Sequence, residues 1–174
     1  GEAMAAMGEL KGACRRLTNA YILILPLQRR EALTSSAMEG TYSTDDQLIL
    51  AEAGLSKGGR DDTQEDRNYT IALSHALERV ANEPISNRLL RDTHRLLLSN
   101  VGRNRGAHKL PGEFKRDQNM IGGRTLDTAK FIPPPPVESI ECMSDLERYI
   151  NREDANKTNA LLDIALVHYQ LETI

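Results

Sequence analysis

Apolar side chains recur along this chain at spacings of three and four residues, which is the period of an amphipathic helix. One such stripe lies within residues 62–82 and contains Tyr69, Leu73, Ala76, Leu77 and Val80. The next lies within residues 86–99 and contains Leu89, Leu90, Thr93, Leu96 and Leu97. Together with the proline and glycine stops, the pattern predicts helices near residues 28–39, 44–53, 62–82, 86–99, 138–150 and 158–173, after a short first helix over 10–17. We therefore predict an all-α bundle.

Local signals set the boundaries of these helices. Thr44 and Gln47 stand three apart, as in a capping box that satisfies free amides at a helix start. Pro84 ends one helix and Ser86 can cap the next. Residues 19–26, which end in Pro26, are predicted to form a connector between the first two helices.

The pattern changes after residue 101. Residues 113–132 contain two runs on either side of Gly122-Gly123 that are predicted to pair as a β-hairpin. Four consecutive prolines, Pro133–Pro136, then predict a stiff polyproline II segment.

The last helix is apolar around much of its circumference, which predicts a central position in the bundle. The sequence ends at Ile174 without Gly, Pro or a polar cap, and we expect the polypeptide to continue.

Composition excludes several classes of protein. The 174 residues carry a net charge of −3, which argues against a general nucleic-acid binder. Cys14 and Cys142 lack CxxC spacing and are predicted to be buried reduced thiols of a cytoplasmic protein. The longest apolar run, residues 21–27, is too short to span a bilayer, and charged residues near the start argue against a signal peptide.

Ser35 and Glu39 are the first candidate site residues. They stand four apart and share a helix face, so the hydroxyl can hold the carboxylate. Gly40 follows as a residue that stops a helix, so Glu39 lies at the negative end of the helix dipole. From the residues alone, Glu39 is either a solvated carboxylate or one with an arginine partner elsewhere in the fold.

Two other groups of residues have plainer interpretations. The 4 histidines share no metal-ligand spacing, and we interpret them as exposed or core-satisfied residues. A basic cluster is interpreted as a solvated loop, with binding to phosphate or an acidic partner as the alternative; it comprises Arg103, Arg105, Lys109, Lys115 and Arg116.

Four stretches, taken in order, resemble the Fic family, specifically members with an inhibitory helix ahead of the Fic core. They are REALTSSAMEGTYST (30–44), PGEFKRDQNMIGG (111–123), KFIPPPP (130–136) and ALVHYQLETI (165–174). The resemblance implies a Fic-type helical bundle whose hairpin is a flap, with residues 1–84 as the N-terminal helical region and 85–174 as the first part of the core. It also implies an adenylyltransferase that uses ATP and magnesium to move AMP onto a Ser, Thr or Tyr hydroxyl of a protein, including its own chain.

The family's catalytic loop, HxFx(D/E)GNGRxxR, begins directly after the segment that here reads HYQLETI, where this sequence ends. No catalytic residue or magnesium ligand is therefore assigned within residues 1–174; we expect both beyond Ile174.

The resemblance does assign regulatory and nucleotide-contacting residues. Ser35 and Glu39 match the inhibitory (S/T)xxxE(G/N) motif, in which the glutamate borders the nucleotide and pairs with the second arginine of the loop. The flap residues expected beside the nucleotide are Ile121, Gly122, Gly123 and Arg124. The free edge of the flap hairpin can hold an extended target segment by main-chain pairing.

The competing hypothesis is a non-catalytic helical regulator or interaction module, one form of which binds nucleic acid through a further domain. A homodimer is compatible with either hypothesis, whereas a membrane partner is not expected. The residues encoded after Ile174 discriminate between the two.

Overall fold

A computed structural model describes residues 1–19, 21–38, 42–55, 61–101, 110–154 and 159–174. Over these residues the chain forms α1 (Glu2–Cys14), α2 (Tyr21–Met38), α3 (Asp45–Glu52), α4 (Asp61–Val80), α5 (Asn87–Leu97), α6 (Pro136–Ile150) and α7 (Ala160–Thr173). A 3₁₀ turn, Leu126–Thr128, lies between α5 and α6. The predicted all-α architecture is confirmed.

The first two helices are longer than predicted. α1 begins at Glu2, and its side chains, including that of Cys14, are exposed, so the prediction of a buried thiol is wrong there. α2 begins at Tyr21 and contains Pro26, so the predicted connector is wrong as well. Proline removes one intrahelical hydrogen bond, and the leucines on either side of Pro26 are good helix formers.

The chain divides into two compact units, Gly1–Thr70 and Ile71–Ile174. In the first unit α2 contacts α3, and Arg29 Nε donates to Glu52 Oε2 at 2.9 Å. Ala32 and Leu48 are fully buried there. The division expected from the sequence, at residue 84, stays a prediction.

Thr44 caps α3 as expected. Its Oγ1 accepts from the Gln47 amide at 3.3 Å, and its own amide donates to Gln47 Oε1 at 2.9 Å. The predicted capping box is confirmed.

The most buried side chains of the first half of α4 are polar: Thr63, Asp66, Asn68 and Thr70. Thr70 Oγ1 donates to the Asp66 carbonyl at 2.9 Å, and Gln64 Nε2 donates to Asn68 Oδ1 at 2.8 Å. Such local bonds make burial of hydroxyl and amide groups tolerable. The predicted apolar stripe is therefore not the most buried face of α4. Of its members, Tyr69 is half-buried and Leu77 is 48% exposed.

In the second unit α6 packs against both α5 and α7. The Asn87 amide at the start of α5 donates to Glu147 Oε2 at 2.7 Å. Tyr149 OH donates to Asp163 Oδ1 at 2.9 Å and joins α6 to α7. Pro136 is the first residue of α6, where a missing N–H costs nothing, and Pro135 before it is extended at φ −62°, ψ 162°.

The predicted central position of α7 is wrong for the part of the chain that the structure describes. α7 contacts α6, but Leu162, Ile164 and Tyr169 are 58%, 64% and 67% exposed. Within the described ranges, no helix has the length and apolar content needed to cross a bilayer.

Candidate functional site

The C-terminal part of α2 carries the first candidate residue. Ser35 is half-buried, and its Oγ donates to Glu31 Oε1, one turn earlier, at 3.0 Å. Glu39 and Gly40 lie outside the described residues, so the expected contact between Ser35 and Glu39 stays a prediction. A serine hydroxyl has one proton, so it can donate to only one of the two glutamates at a time.

The flap segment, residues 113–132, forms the second candidate site. Ile121 pairs with Phe131 in an isolated antiparallel bridge, with Ile121 N donating to Phe131 O at 2.9 Å. Lys130 N donates back to Ile121 O at 2.9 Å. The predicted hairpin is reduced to this one bridge because Gly122-Gly123 is not a two-residue turn. The loop continues through the 3₁₀ turn before the chain returns.

The two glycines are required by the packing of this loop. Gly122 has φ +74°, and a Cβ on it would lie 2.9 Å from Lys130 Cδ. A Cβ on Gly123 would lie 2.5 Å from the Thr128 carbonyl oxygen. The Arg124 amide donates to Thr128 Oγ1 at 3.2 Å. All four predicted nucleotide-contacting residues of the flap thus lie together on one loop.

The flap segment also exposes apolar side chains. Met120, Ile121, Phe131 and Ile132 are 37%, 47%, 42% and 48% exposed. Neighbouring exposed apolar side chains are typical of a surface that contacts a ligand or a partner.

A turn before the flap segment is anchored to α5. The Gly112 amide donates to His94 Nδ1 at 2.9 Å, and Arg91 Nε donates to the Gly112 carbonyl at 2.7 Å. Arg91 also bonds Glu113 at 2.9 Å and lies over the Phe114 ring at 5.3 Å. These contacts fix the chain entering the flap.

Gly112 makes this close approach feasible. Its φ is +83°, which other residues rarely adopt, and a Cβ would lie 2.9 Å from the Arg91 carbonyl oxygen. Any larger residue here would disrupt the turn.

Two groups with lowered pKa values, His94 and Lys115, border a cleft of about 490 Å³ beside this turn. Burial lowers the pKa of His94, which keeps the imidazole neutral so that Nδ1 can accept. Burial also lowers the pKa of Lys115, whose Nζ donates to the carbonyl of Ile174. Lys115 is therefore not the solvated residue that the sequence suggested; of the other members of the basic cluster, Arg103, Arg105 and Lys109 lie outside the described residues.

Sequence reasoning did not identify Arg91, His94 and Lys115 as a group. Arg91 and His94 stand three apart on α5, so one helix face presents both. Their partners are about twenty residues away along the chain, and no local pattern specifies such a pairing.

The arrangement of the helices, with the flap segment and its one antiparallel bridge between α5 and α6, is that of a known structural class. A crystal structure of a Fic family protein from Desulfovibrio desulfuricans G20 matches with a TM-score of 0.67 at 22% sequence identity. The match covers 98% of this chain and 50% of that protein. The fold is thus that of a Fic protein, and the chain spans about half the length of this relative.

Sequence comparison identifies the family itself. Residues 1–78 match the Fic/DOC family N-terminal region, and residues 84–174 match the Fic/DOC family. The chain belongs to the Fic/DOC family.

Proposed function

We propose that this chain is part of a protein adenylyltransferase. In the reaction, a Ser, Thr or Tyr hydroxyl oxygen of a target protein attacks the α-phosphorus of ATP. The bond to the β-phosphate oxygen breaks, pyrophosphate leaves, and a general base takes the hydroxyl proton. The observation that carries this proposal is the exposed flap loop Ile121–Arg124, set in a chain that belongs to the Fic/DOC family.

The flap segment has groups suited to part of ATP. The exposed side chains of Met120 and Ile121 offer an apolar surface for the base, and Arg124, exposed on the same loop, offers a guanidinium for phosphate. The flap segment accordingly fits one side of the nucleotide. Bound magnesium would neutralise phosphate charge, and its ligand is expected beyond Ile174.

The same segment suits a protein target, including another copy of this chain. An edge with a single bridge leaves main-chain groups for pairing with an extended peptide. Such pairing would hold the target hydroxyl beside the α-phosphate without requiring a particular target sequence.

Glu39 is proposed to inhibit this activity. Its carboxylate would pair with an arginine of the catalytic loop and so keep that arginine from the γ-phosphate. Ser35 would support this by donating to Glu39 in place of Glu31, its partner in this structure.

The test is Glu39→Gly in the full-length protein. We expect AMP transfer, including self-modification, to rise about ten-fold to over a hundred-fold, from a coupling of roughly 1.4 to 3 kcal/mol. Ser35→Ala should give a smaller rise because it loosens the carboxylate without removing it. The measurement is incorporation of labelled AMP at equal protein concentration, with melting temperatures alongside.

Glu9→Gly is the matched control, since it makes the same change on the exposed face of α1. Equal incorporation by wild type and Glu39→Gly, in two equally folded proteins, would mean that Glu39 is a solvated surface carboxylate and does not inhibit transfer.

A non-catalytic regulator or interaction module remains the second candidate. The observation that favours it is the set of exposed apolar side chains on α7, Leu162 and Ile164 among them, since exposed apolar side chains are typical of a face that contacts other protein. Reading the codons after Ile174 decides between the two, because the adenylyltransferase requires the HxFx(D/E)GNGR loop there.

A further inference from the structure

We propose that the groove between α2 and α3 binds a short apolar peptide with free ends, and that this peptide stabilises α2 in the position from which Glu39 inhibits. The regulatory part of this inference rests on the proposed function, whereas the binding part does not. The groove lies within the first compact unit and has a volume of about 740 Å³. Sites for small ligands commonly have volumes in this range.

The groove uses one face of α2, and the inhibitory motif uses the opposite face. The lining residues of α2 recur at helical spacings: Pro26, Arg29, Arg30, Leu33, Thr34 and Ala37. At about 100° per residue, Glu31 and Ser35 lie roughly 150° around the helix from the centre of this face. A ligand in the groove therefore contacts α2 from behind the inhibitory motif and leaves Ser35 accessible to Glu39.

The helices α2 and α3 run in opposite directions along the groove. Only six residues separate Met38 from Asp45, and Glu52, at the far end of α3, bonds to Arg29. Asp45 is therefore placed near the last turn of α2, and it lines the groove together with Ala37. One end of the groove is thus defined by Arg29 and the other by Asp45.

The two ends carry opposite charges. Arg29 is paired with Glu52, but the exposed Arg30 next to it forms no ion pair with any described residue. Asp45, exposed at the other end, likewise has no ion-pair partner within the described ranges. Thr34 follows Arg30 by one turn on the same face, so its hydroxyl adds a donor at the positive end. The groove can therefore bind an anion at one end and a cation at the other.

The walls between the two ends are apolar. Leu33 and Ala37 line the groove from α2, and Ile49, which is 43% exposed, lines it from α3. A complementary ligand has a carboxylate at one end, an apolar body and an ammonium group at the other end. Burial of that body against these side chains favours binding.

The length of the groove selects a peptide of about three residues. Seven residues of helix separate Arg30 from the turn beside Asp45, which is a distance of about 10 Å. An extended chain of three residues spans about the same distance. The C-terminal carboxylate would accept from Arg30 and Thr34, and the N-terminal ammonium would donate to Asp45.

A peptide that contacts both walls stabilises the state in which α2 lies against α3. In this structure Ala32 of α2 and Leu48 of α3 are both fully buried. The inhibition proposed for Glu39 depends on the position of α2, so a bound peptide should lower AMP transfer.

The binding test uses leucyl-alanyl-leucine and three matched probes with the full-length protein. The N-acetyl peptide lacks the ammonium group, the peptide amide lacks the carboxylate, and leucine has both charges but is too short. Binding is followed by nuclear magnetic resonance at the methyl groups of Leu33 and Ile49, with Leu162 of the second unit as a distant control. We expect a dissociation constant of about 0.1 mM for the tripeptide. Each of the other probes should bind about ten-fold more weakly or worse, since each loses a charged bond.

Variants of the two charged ends test the assignment. Arg30→Gln and Asp45→Asn should each weaken tripeptide binding about ten-fold. Arg16→Gln removes an exposed arginine of α1, and Asp46→Asn removes the other acidic side chain from the first turn of α3. Both controls should bind the tripeptide as wild type does, and circular dichroism verifies that all four variants are folded.

The regulatory test measures AMP transfer at a saturating concentration of the tripeptide, which contains no hydroxyl side chain and so cannot accept AMP itself. We expect transfer by wild type to fall about five-fold. Transfer by Glu39→Gly should not respond, because the inhibitory carboxylate is absent.

The outcomes separate the site from the proposed function. Unshifted Leu33 and Ile49 signals overturn the inference, as they would if another segment of the protein filled the groove. Equal binding of the N-acetyl or amide peptide also overturns it, because the groove would then select apolar bulk alone. An equal fall of transfer in Glu39→Gly overturns the regulatory part. If wild type transfers no AMP but the tripeptide binds as expected, the proposed function fails and the peptide site stands.

Discussion

His94 joins α5 to the turn that precedes the flap segment through one hydrogen bond. The bond runs from the Gly112 amide to Nδ1, so it requires a neutral imidazole with the proton on Nε2. Protonation would place a second donor opposite the Gly112 amide and remove the acceptor. One of the contacts that anchor this turn, besides those of Arg91, therefore depends on the protonation state of His94.

The pH dependence of stability follows from the direction of the His94 shift. Burial lowers its folded-state pKa below the unfolded value of 6.5. As pH falls through about 6.5, the unfolded state binds the proton first, so the free energy of unfolding decreases. The decrease continues until the pH passes the folded-state pKa, and above about pH 7 this contribution is constant.

We predict that wild type loses more stability between pH 7 and pH 5 than His94→Asn does. Asparagine offers an acceptor near the position of Nδ1 but does not titrate. The measurement is the midpoint of urea unfolding for both proteins across that range, and the difference between them removes the contributions of other titrating groups. Parallel curves would show that His94 does not couple protonation to folding.

At the scale of the element, α2 shows how far sequence patterns predict this fold. Capping residues such as Thr44 and Ser86 predicted the starts of α3 and α5. Pro26 was misleading because one lost hydrogen bond does not outweigh a helix of 18 residues. Boundaries marked by a cap were predictable, whereas a tolerated proline was not.

The buried side of α4 was not predictable either. Asp66 and Asn68 are buried, although residues of these types usually face solvent. Asn68 accepts a local bond from Gln64, whereas the two carboxylate oxygens of Asp66 have no hydrogen-bond partner among the described residues. The candidate site, too, was predictable only in part. A family motif identifies the flap residues in the sequence, but the partners of Lys115 and His94 are set by the tertiary fold.

The prediction for α2 concerns the effect of Pro26 on stability. Its side chain is exposed, so Pro26→Ala opens no cavity and restores an amide donor inside the helix. Alanine is favoured over proline in a helix interior by about 3 kcal/mol, partly offset by a more flexible unfolded chain. We expect a net gain of roughly 1 to 2 kcal/mol, measured as a higher midpoint in urea unfolding.

Pro84→Ala is the control, because Pro84 lies in the exposed connection between α4 and α5. There the main effect is on the unfolded chain, so alanine should destabilise by about 0.4 to 1 kcal/mol. A loss of stability in both variants would mean that Pro26 has a favourable role in α2.

At the scale of the whole molecule, the described residues leave much apolar surface uncovered. On α7, Leu162, Ile164 and Leu166 are 58%, 64% and 47% exposed. In α2, Leu23 and Leu27 are 54% and 64% exposed. Exposed apolar side chains that neighbour one another on a helix are typical of faces that contact other protein.

A chain consisting of residues 1–174 alone is predicted to show no AMP transfer with labelled ATP and magnesium. General-base chemistry and electrostatic stabilisation of the phosphates are the main terms in such catalysis, and no residue here is assigned to them. The comparison is with a heat-treated sample, after circular dichroism has verified helical content. Transfer well above that background would mean that the residues that carry catalysis lie within residues 1–174.

The prolines before α6 have a consequence for how ordered the flap segment is before any ligand binds. Gln118 Nε2 donates to the Pro133 carbonyl at 2.7 Å, so the flap segment is attached to the first of the three prolines, Pro133–Pro135, that precede α6. Each proline ring already restricts φ in the unfolded chain, whereas ordering an ordinary residue costs about 1 to 2 kcal/mol of backbone entropy. Much of the ordering that a ligand would otherwise impose on this part of the flap is therefore present before the ligand arrives. This part of the flap segment is therefore ordered by residues that need not contact a ligand themselves.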